Sequence, residues 1–139
     1  LAIILRNIQS ETQHGVTAMV EHCGHAILAM VVGDPSRLLV ALGATLVVEL
    51  DFANVISCRV LAQDVPESHG LFPLASGDVR VVGVVHNIID TPEGYPLIDV
   101  YLQAGPEFVL FASSSLACTP ALGSGLEVVV RGLRFFPTW

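Results

Sequence analysis

The chain of 139 residues is 53% hydrophobic and 14% charged, with 20 valines, six arginines, no lysine and a formal net charge of −7. Soluble chains average about a quarter charged, and disorder needs low hydrophobicity with high charge, so this composition demands a packed fold. It also disfavours polyanionic partners, because nucleic-acid affinity rests on Lys and Arg neutralising phosphates, and six scattered arginines against thirteen carboxylates make a poor footprint.

The length fits a single all-β domain over residues 1–139, able to bury roughly two thirds of the surface its unfolded form exposes. A spanning helix needs about twenty nearly continuous apolar residues. The longest purely apolar run is residues 26–32, and residues 38–50 are broken by Gly43, Thr45 and Glu49, so no helical membrane span is expected. The chain begins at Leu1 without a signal-peptide pattern, and the cytoplasm is the default expectation. Cys23, Cys58 and Cys118 form no CxxC pair and no disulfide framework, and read as small buried hydrophobes.

Residues 1–13 fit either a short helix or an edge strand. Residues 16–22 and 25–32 read as a hairpin turning at Cys23-Gly24. Gly33-Asp34-Pro35-Ser36 is a turn, because Pro presets its φ while Gly and Asp tolerate tight conformations. A short apolar piece follows over 38–42. Residues 44–52 alternate as a strand, Ala53-Asn54 turns, and 55–62 continue as a strand. Residues 63–78, with Pro66, Gly70, Pro73 and Gly77, form a long irregular loop tucked against the core by Leu71, Phe72 and Leu74.

Residues 79–90 are the clearest strand, apolar on both faces, with Gly83 as the expected bulge or bend. Thr91-Pro92-Glu93-Gly94 turns the chain into residues 96–104, where Ile98, Val100 and Leu102 point inward and Asp99, Tyr101 and Gln103 outward. Residues 107–112 are a short strand and 113–125 a loop. Residues 126–136 close the chain, bent at Gly132. No internal repeat stands out. About eight short strands without an intervening amphipathic helix predict an antiparallel fold. The expected form is a small barrel of oligonucleotide/oligosaccharide-binding type or a relative, with a β-sandwich as the alternative.

Three groups of residues could carry chemistry. His22, Cys23 and His25 have zinc-type donors at a hairpin tip, without the spacing of a structural zinc site. His86, Asp99 and Tyr101 would gather on the outer face of one hairpin, where a carboxylate beside an imidazole can tune it for acid–base work. Phe135, Phe136 and Trp139, with Arg131 and Arg134, make an aromatic and arginine-bearing terminus of the kind enriched at interfaces. The serines at 113–115 lack a GxSxG elbow, and Gly123-Ser124-Gly125 lacks the lysine and spacing of a phosphate loop. No cofactor is expected. The functional expectation is a non-catalytic binding or assembly module that self-associates or docks on a partner protein. Alternatives are a small-molecule-binding barrel or enzyme, and an acidic inhibitor of a basic protein.

Overall fold

The structure, a computed structural model, describes residues 1–61, 69–90, 94, 96–102 and 107–139. Among them are eleven strands rather than about eight: β1 (Ala2–Thr12), β2 (Gly15–His22), β3 (His25–Val32), β4 (Thr45–Asp51), β5 (Asn54–Leu61), β6 (Gly70–Pro73), β7 (Val79–Asp90), β8 (Pro96–Leu102), β9 (Glu107–Ala112), β10 (Gly125–Arg131) and β11 (Arg134–Pro137). One helix, α1 (Pro35–Val40), lies between β3 and β4. The chain divides into two compact units: Leu1–Ala53 with Pro73–Val79 and Arg131–Trp139, and Asn54–Phe72 with Arg80–Val130.

Unit 1 is a closed barrel in the order β1-β2-β3-β11-β4. β4 returns to β1 through Ala2–Val47, Ile3–Leu46 and Ile4–Thr45. β11 enters between β3 and β4, parallel to β3 (Arg134–Met30, Phe135–Val31) and antiparallel to β4 (Arg134–Asp51 to Pro137–Val48). Five strands closed in this way form a barrel of the expected type. Alternation dictates which residues fill it. Leu5, Val16, Val20, Val31 and Phe135 are fully buried, while their neighbours along each strand are more exposed.

Two local expectations for unit 1 change. Asp34-Pro35 opens a helix as well as a turn. Asp34 Oδ1 accepts a hydrogen bond from Ser36 N at 2.9 Å, and Pro35 supplies a first helical position that needs no N–H. At six residues α1 is too short to show periodicity, so its buried anchor Leu38 read as part of an apolar piece. Residues 1–13, ambiguous by pattern, are strand. The turn at Cys23-Gly24 is as expected: φ is 47° and 80°, and positive φ at both central positions marks a type I′ hairpin turn.

The sheet of unit 2 runs β5-β10-β7-β8-β9, with β6 beside β7. The loop expected over residues 63–78 is therefore partly strand; positions 62–68 lie outside the described residues, and Leu71 in β6 is fully buried. The turn expected at Thr91-Pro92-Glu93-Gly94 is described only at Gly94, but the strands it joins pair as a hairpin. Cys58 in β5 and Cys118, which follows a 3-10 turn at Ser113–Ser115, form a disulfide across a sequence separation of 60. The reading of all three cysteines as small buried hydrophobes is thereby corrected, and Cys23 is exposed.

The two units repeat one another with an 80-residue offset. In unit 1, Leu5 pairs with Val20 and Asn7 with Met19, with a bulge between Leu5 and Asn7. In unit 2, Val85 pairs with Val100 and Asn87 with Asp99, with a bulge between Val85 and Asn87. Gly43 N donates to Leu5 O at 2.7 Å, and Gly123 N donates to Val85 O at 2.8 Å. The two glycines adopt φ of 82° and 79°. The matching sequence is Ala41-Leu42-Gly43 with Leu46 and Val48, against Ala121-Leu122-Gly123 with Leu126 and Val128. The repeat also relocates the bulge. It falls at His86, whereas Gly83 sits buried in β7 without a positive φ.

The last strand of each repeat is exchanged. β5 begins at Asn54, just after β4 ends at Asp51, and β11 begins at Arg134, just after β10 ends at Arg131. Yet β11 completes the barrel of β1–β4, and β5 lies beside β10. Phe135 is the buried anchor of the exchanged strand in unit 1. Phe135→Ala is expected to cost about 3–5 kcal/mol of unfolding free energy, the range for truncating a buried Phe, measured by urea denaturation. A cost below about 1 kcal/mol would mean that β11 does not anchor the barrel.

Asp78 accepts from Arg131 Nε at 2.9 Å and Nη2 at 3.2 Å, tying the turn after Leu74 to the start of the C-terminal segment. The Arg131 guanidinium holds the Asp78 carboxyl below the usual carboxylate range. A carboxyl with a lowered folded pKa contributes stability above its ordinary pKa of about 3.9 and loses it as pH falls through the folded value. Asp78→Asn should therefore unfold at lower midpoint near neutrality and show a shallower loss below about pH 4 than the parent chain. Parallel pH curves for the two proteins would rule this coupling out.

Candidate binding faces

Barrels of this type present ligands to the face of their second and third strands and to the adjoining strand connections. In unit 1 that face carries a cleft of about 420 Å³. Thr17 of β2, Leu28 and Met30 of β3, Ala53 beyond β4, Leu133 and Arg134 of the C-terminal segment line it. Its floor needs Gly132: φ is 72°, and a Cβ there would meet the Ala53 Cβ at 2.8 Å. Arg134 Nη2 donates to Asp51 Oδ2 at 2.6 Å, while its Nε is buried without a hydrogen-bond partner. The cleft thus combines apolar walls with one guanidinium edge.

In unit 2 the equivalent face spans β7, β8 and β9. Residues paired directly across antiparallel strands share a face, so Asn87, Asp99 and Leu110 lie in one row. The same alternation puts Ile89, Leu97 and Ala112 in the next row and Phe108 beyond Leu110. Phe108, Leu110 and Ile89 are 42%, 52% and 43% exposed. Asp99, expected outward, is 9% exposed, and its Oδ1 is buried with no hydrogen-bond partner. The face thus mixes exposed Phe108, Leu110 and Ile89 with exposed His86 and Asn87 around a buried acidic acceptor.

The sequence-derived candidates distribute unevenly over these faces. His86, Asp99 and Tyr101 all belong to the β7–β8 hairpin, but the bulge at His86 sets Asn87 opposite Asp99. The His86 ring instead faces Phe108, with centroids 5.4 Å apart at 46°. Tyr101 pairs in register with Val84 and Phe108. His22 is 2% exposed and donates from Nδ1 to Ala2 O at 2.9 Å, which leaves Nε2 as an acceptor 3.6 Å from Cys23 Sγ. His25 is exposed and pairs with His22 across the turn. Among the described residues no group of three or more His, Cys, Asp or Glu is placed to hold a metal ion.

Phe135 is consumed by the unit 1 core, and Phe136 is half-buried. Trp139 is 46% exposed, with Arg37 stacked 4.4 Å above its ring. Arg131 and Arg134 bind Asp78 and Asp51 of their own chain. The remaining arginines are also engaged: Arg6 with Glu21 at 2.9 Å, and Arg59 and Arg80 both with Glu127 at 3.2 and 3.0 Å. Every arginine therefore has an acidic or aromatic partner within the chain. The residues that pattern reading missed are Leu28, Met30, Phe108 and Leu110. Each alternates as a strand residue should, and only the strand order shows which residues share its face.

No family model, curated protein or solved structure matches this chain.

A buried acceptor without a donor costs about 1–3 kcal/mol, more when charged. The repeat places Met19 at the position equivalent to Asp99. Asp99→Met is expected to raise the unfolding free energy by about 1–3 kcal/mol in urea titration. A loss of stability instead would mean that Asp99 is satisfied in the folded chain.

Proposed function

We propose that the chain is a non-catalytic protein-docking module that uses the outer barrel faces. The observation that carries this reading is the exposed apolar surface of Ile89, Phe108 and Leu110 in unit 2. Contiguous exposed apolar patches generally mark interaction sites. Unit 1 adds exposed Leu28, Val47 and Val40, the last at 88%. Support against a polyanion partner comes from the arginines, each already held by a carboxylate or by Trp139. A phosphate backbone would have to compete for each of them.

The Cys58–Cys118 disulfide favours work in an oxidising compartment over the cytoplasm first expected, since cytosolic thiols are kept reduced. A second reading, a small-molecule site, is favoured by the cleft beside Arg134, whose volume falls in the range of ligand pockets. Such a ligand would sit on the outer face, because the unit 1 interior is filled by its own side chains.

Light scattering and hydrophobic-dye fluorescence test the docking reading. The expected result is dye binding that falls when Phe108 and Leu110 are both replaced by serine, with a mass that rises with concentration or on addition of a partner. A monomer that binds no dye, or one that binds a labelled single-stranded oligonucleotide in a salt-sensitive way, would overturn it.

A further inference from the structure

The outer face of unit 1 holds a donor that the chain itself leaves unanswered. Thr17 pairs with Met30, Met30 with Arg134 and Arg134 with Asp51, so these four residues form one row across β2, β3, β11 and β4. Thr17, Met30 and Arg134 of that row line the cleft of about 420 Å³, together with apolar Leu28, Ala53 and Leu133. Arg134 spends Nη2 on Asp51 Oδ2 at 2.6 Å, and its Nε is buried with no acceptor. The two side chains of this ion pair are 42% and 53% exposed. An exposed pair is held weakly, so the guanidinium can pivot at little cost and turn its Nε edge to the cleft.

We propose that this cleft binds a neutral, largely apolar small molecule bearing a carbonyl oxygen (a ketone, ester or amide), with Arg134 as the donor to that oxygen. This rests on the small-molecule reading above and names its ligand class. Arg134 selects for an acceptor. Its Nε–H has lost water without gaining a partner, and an oxygen in the cleft supplies one. Asp51 selects against an anion. Its carboxylate already neutralises the guanidinium, and the chain as a whole carries −7, so an incoming acid meets repulsion that a carbonyl does not. The walls select against a polyhydroxylated ligand. Of the residues that line the cleft only Thr17 and Arg134 have polar side chains, so most hydroxyls would be buried there without partners.

The test titrates the full isotope-labelled chain with two molecules of equal size, the ketone benzylacetone and the carboxylate hydrocinnamate, and follows the amide signals by NMR. Benzylacetone should shift the amides of Met30, Gly132 and Leu133 and saturate in the millimolar range expected of so small a ligand. Hydrocinnamate should bind about threefold more weakly, within the range of an exposed charge interaction. Arg134→Met keeps the apolar contact and removes the N–H, and should weaken benzylacetone about tenfold, the worth of a hydrogen bond to a charged donor. Asp51→Asn, on the exposed surface, should reverse the preference in favour of hydrocinnamate, and it decides the matter should Arg134→Met fail to fold. Tighter binding of hydrocinnamate by the parent chain, an unchanged benzylacetone affinity in Arg134→Met, or a preference that Asp51→Asn does not reverse overturns the proposal and leaves the small-molecule reading standing. Saturable shifts with neither molecule, or shifts only outside the cleft, overturn it together with that reading.

Discussion

The insertion of β11 between β3 and β4 is the constraint on which unit 1 depends. Without that strand, β3 and β4 each present an unpaired edge, and a row of unsatisfied N–H and C=O groups is costly when buried and adhesive when exposed. Alternation sets its register. Phe135 points into the barrel with no exposed surface, and Arg134 points out to Asp51. A slip of one residue would drive the guanidinium into the core and the phenyl ring into water. The tail beyond it is fastened as well, with Thr138 N donating to Val47 O at 3.0 Å and Arg37 covering Trp139.

Because the last strands are exchanged, neither unit is a contiguous piece of chain. The strand that follows β4 serves the sheet of β10, and the strand that follows β10 serves the barrel of β4. Each half supplies what the other lacks, so the pairing of Arg134 with Asp51 spans most of the sequence. Contacts of such separation form only after the loop-closure entropy between them has been lost, which slows folding. The disulfide from Cys58 in β5 to Cys118 shortens the corresponding search in unit 2.

How much of this was legible depended on whether one strand sufficed to show it. The all-β class, the barrel type and the β7–β8 hairpin were readable, because alternation is a property of single strands and Val79–Asp90 displays it plainly. The bulge was misplaced because it belongs to a pair of strands. Gly83 had the freedom for it, but the extra residue is His86, where no glycine is needed. The repeat was hidden because many equivalent positions exchange one apolar residue for another, as Leu5 for Val85 and Ala18 for Ile98; the longest run that kept its letters is Ala-Leu-Gly at 41–43 and 121–123. The disulfide had no spacing signature, and the exchange of strands leaves none either. Asp99 read as an ordinary outward residue, since a strand pattern reports the face on which a side chain lies and not whether its neighbours will cover it.

The repeat sets Asp99 against its counterpart in unit 1. At the equivalent places unit 1 carries Met19 in the middle of its face, and Arg6 at its bulge is paired with Glu21. Unit 2 has Asp99, His86 and Tyr101 there. Unit 1 thus carries a satisfied ion pair on this part of its face, whereas unit 2 lacks that pair and buries a single acid beside Asn87 and Leu110. Core-forming positions changed conservatively between the repeats, so relaxed packing does not account for the exchange of a thioether for a carboxylate. A buried acceptor without a donor costs stability, so unit 2 carries at Asp99 a penalty that Met19 spares unit 1.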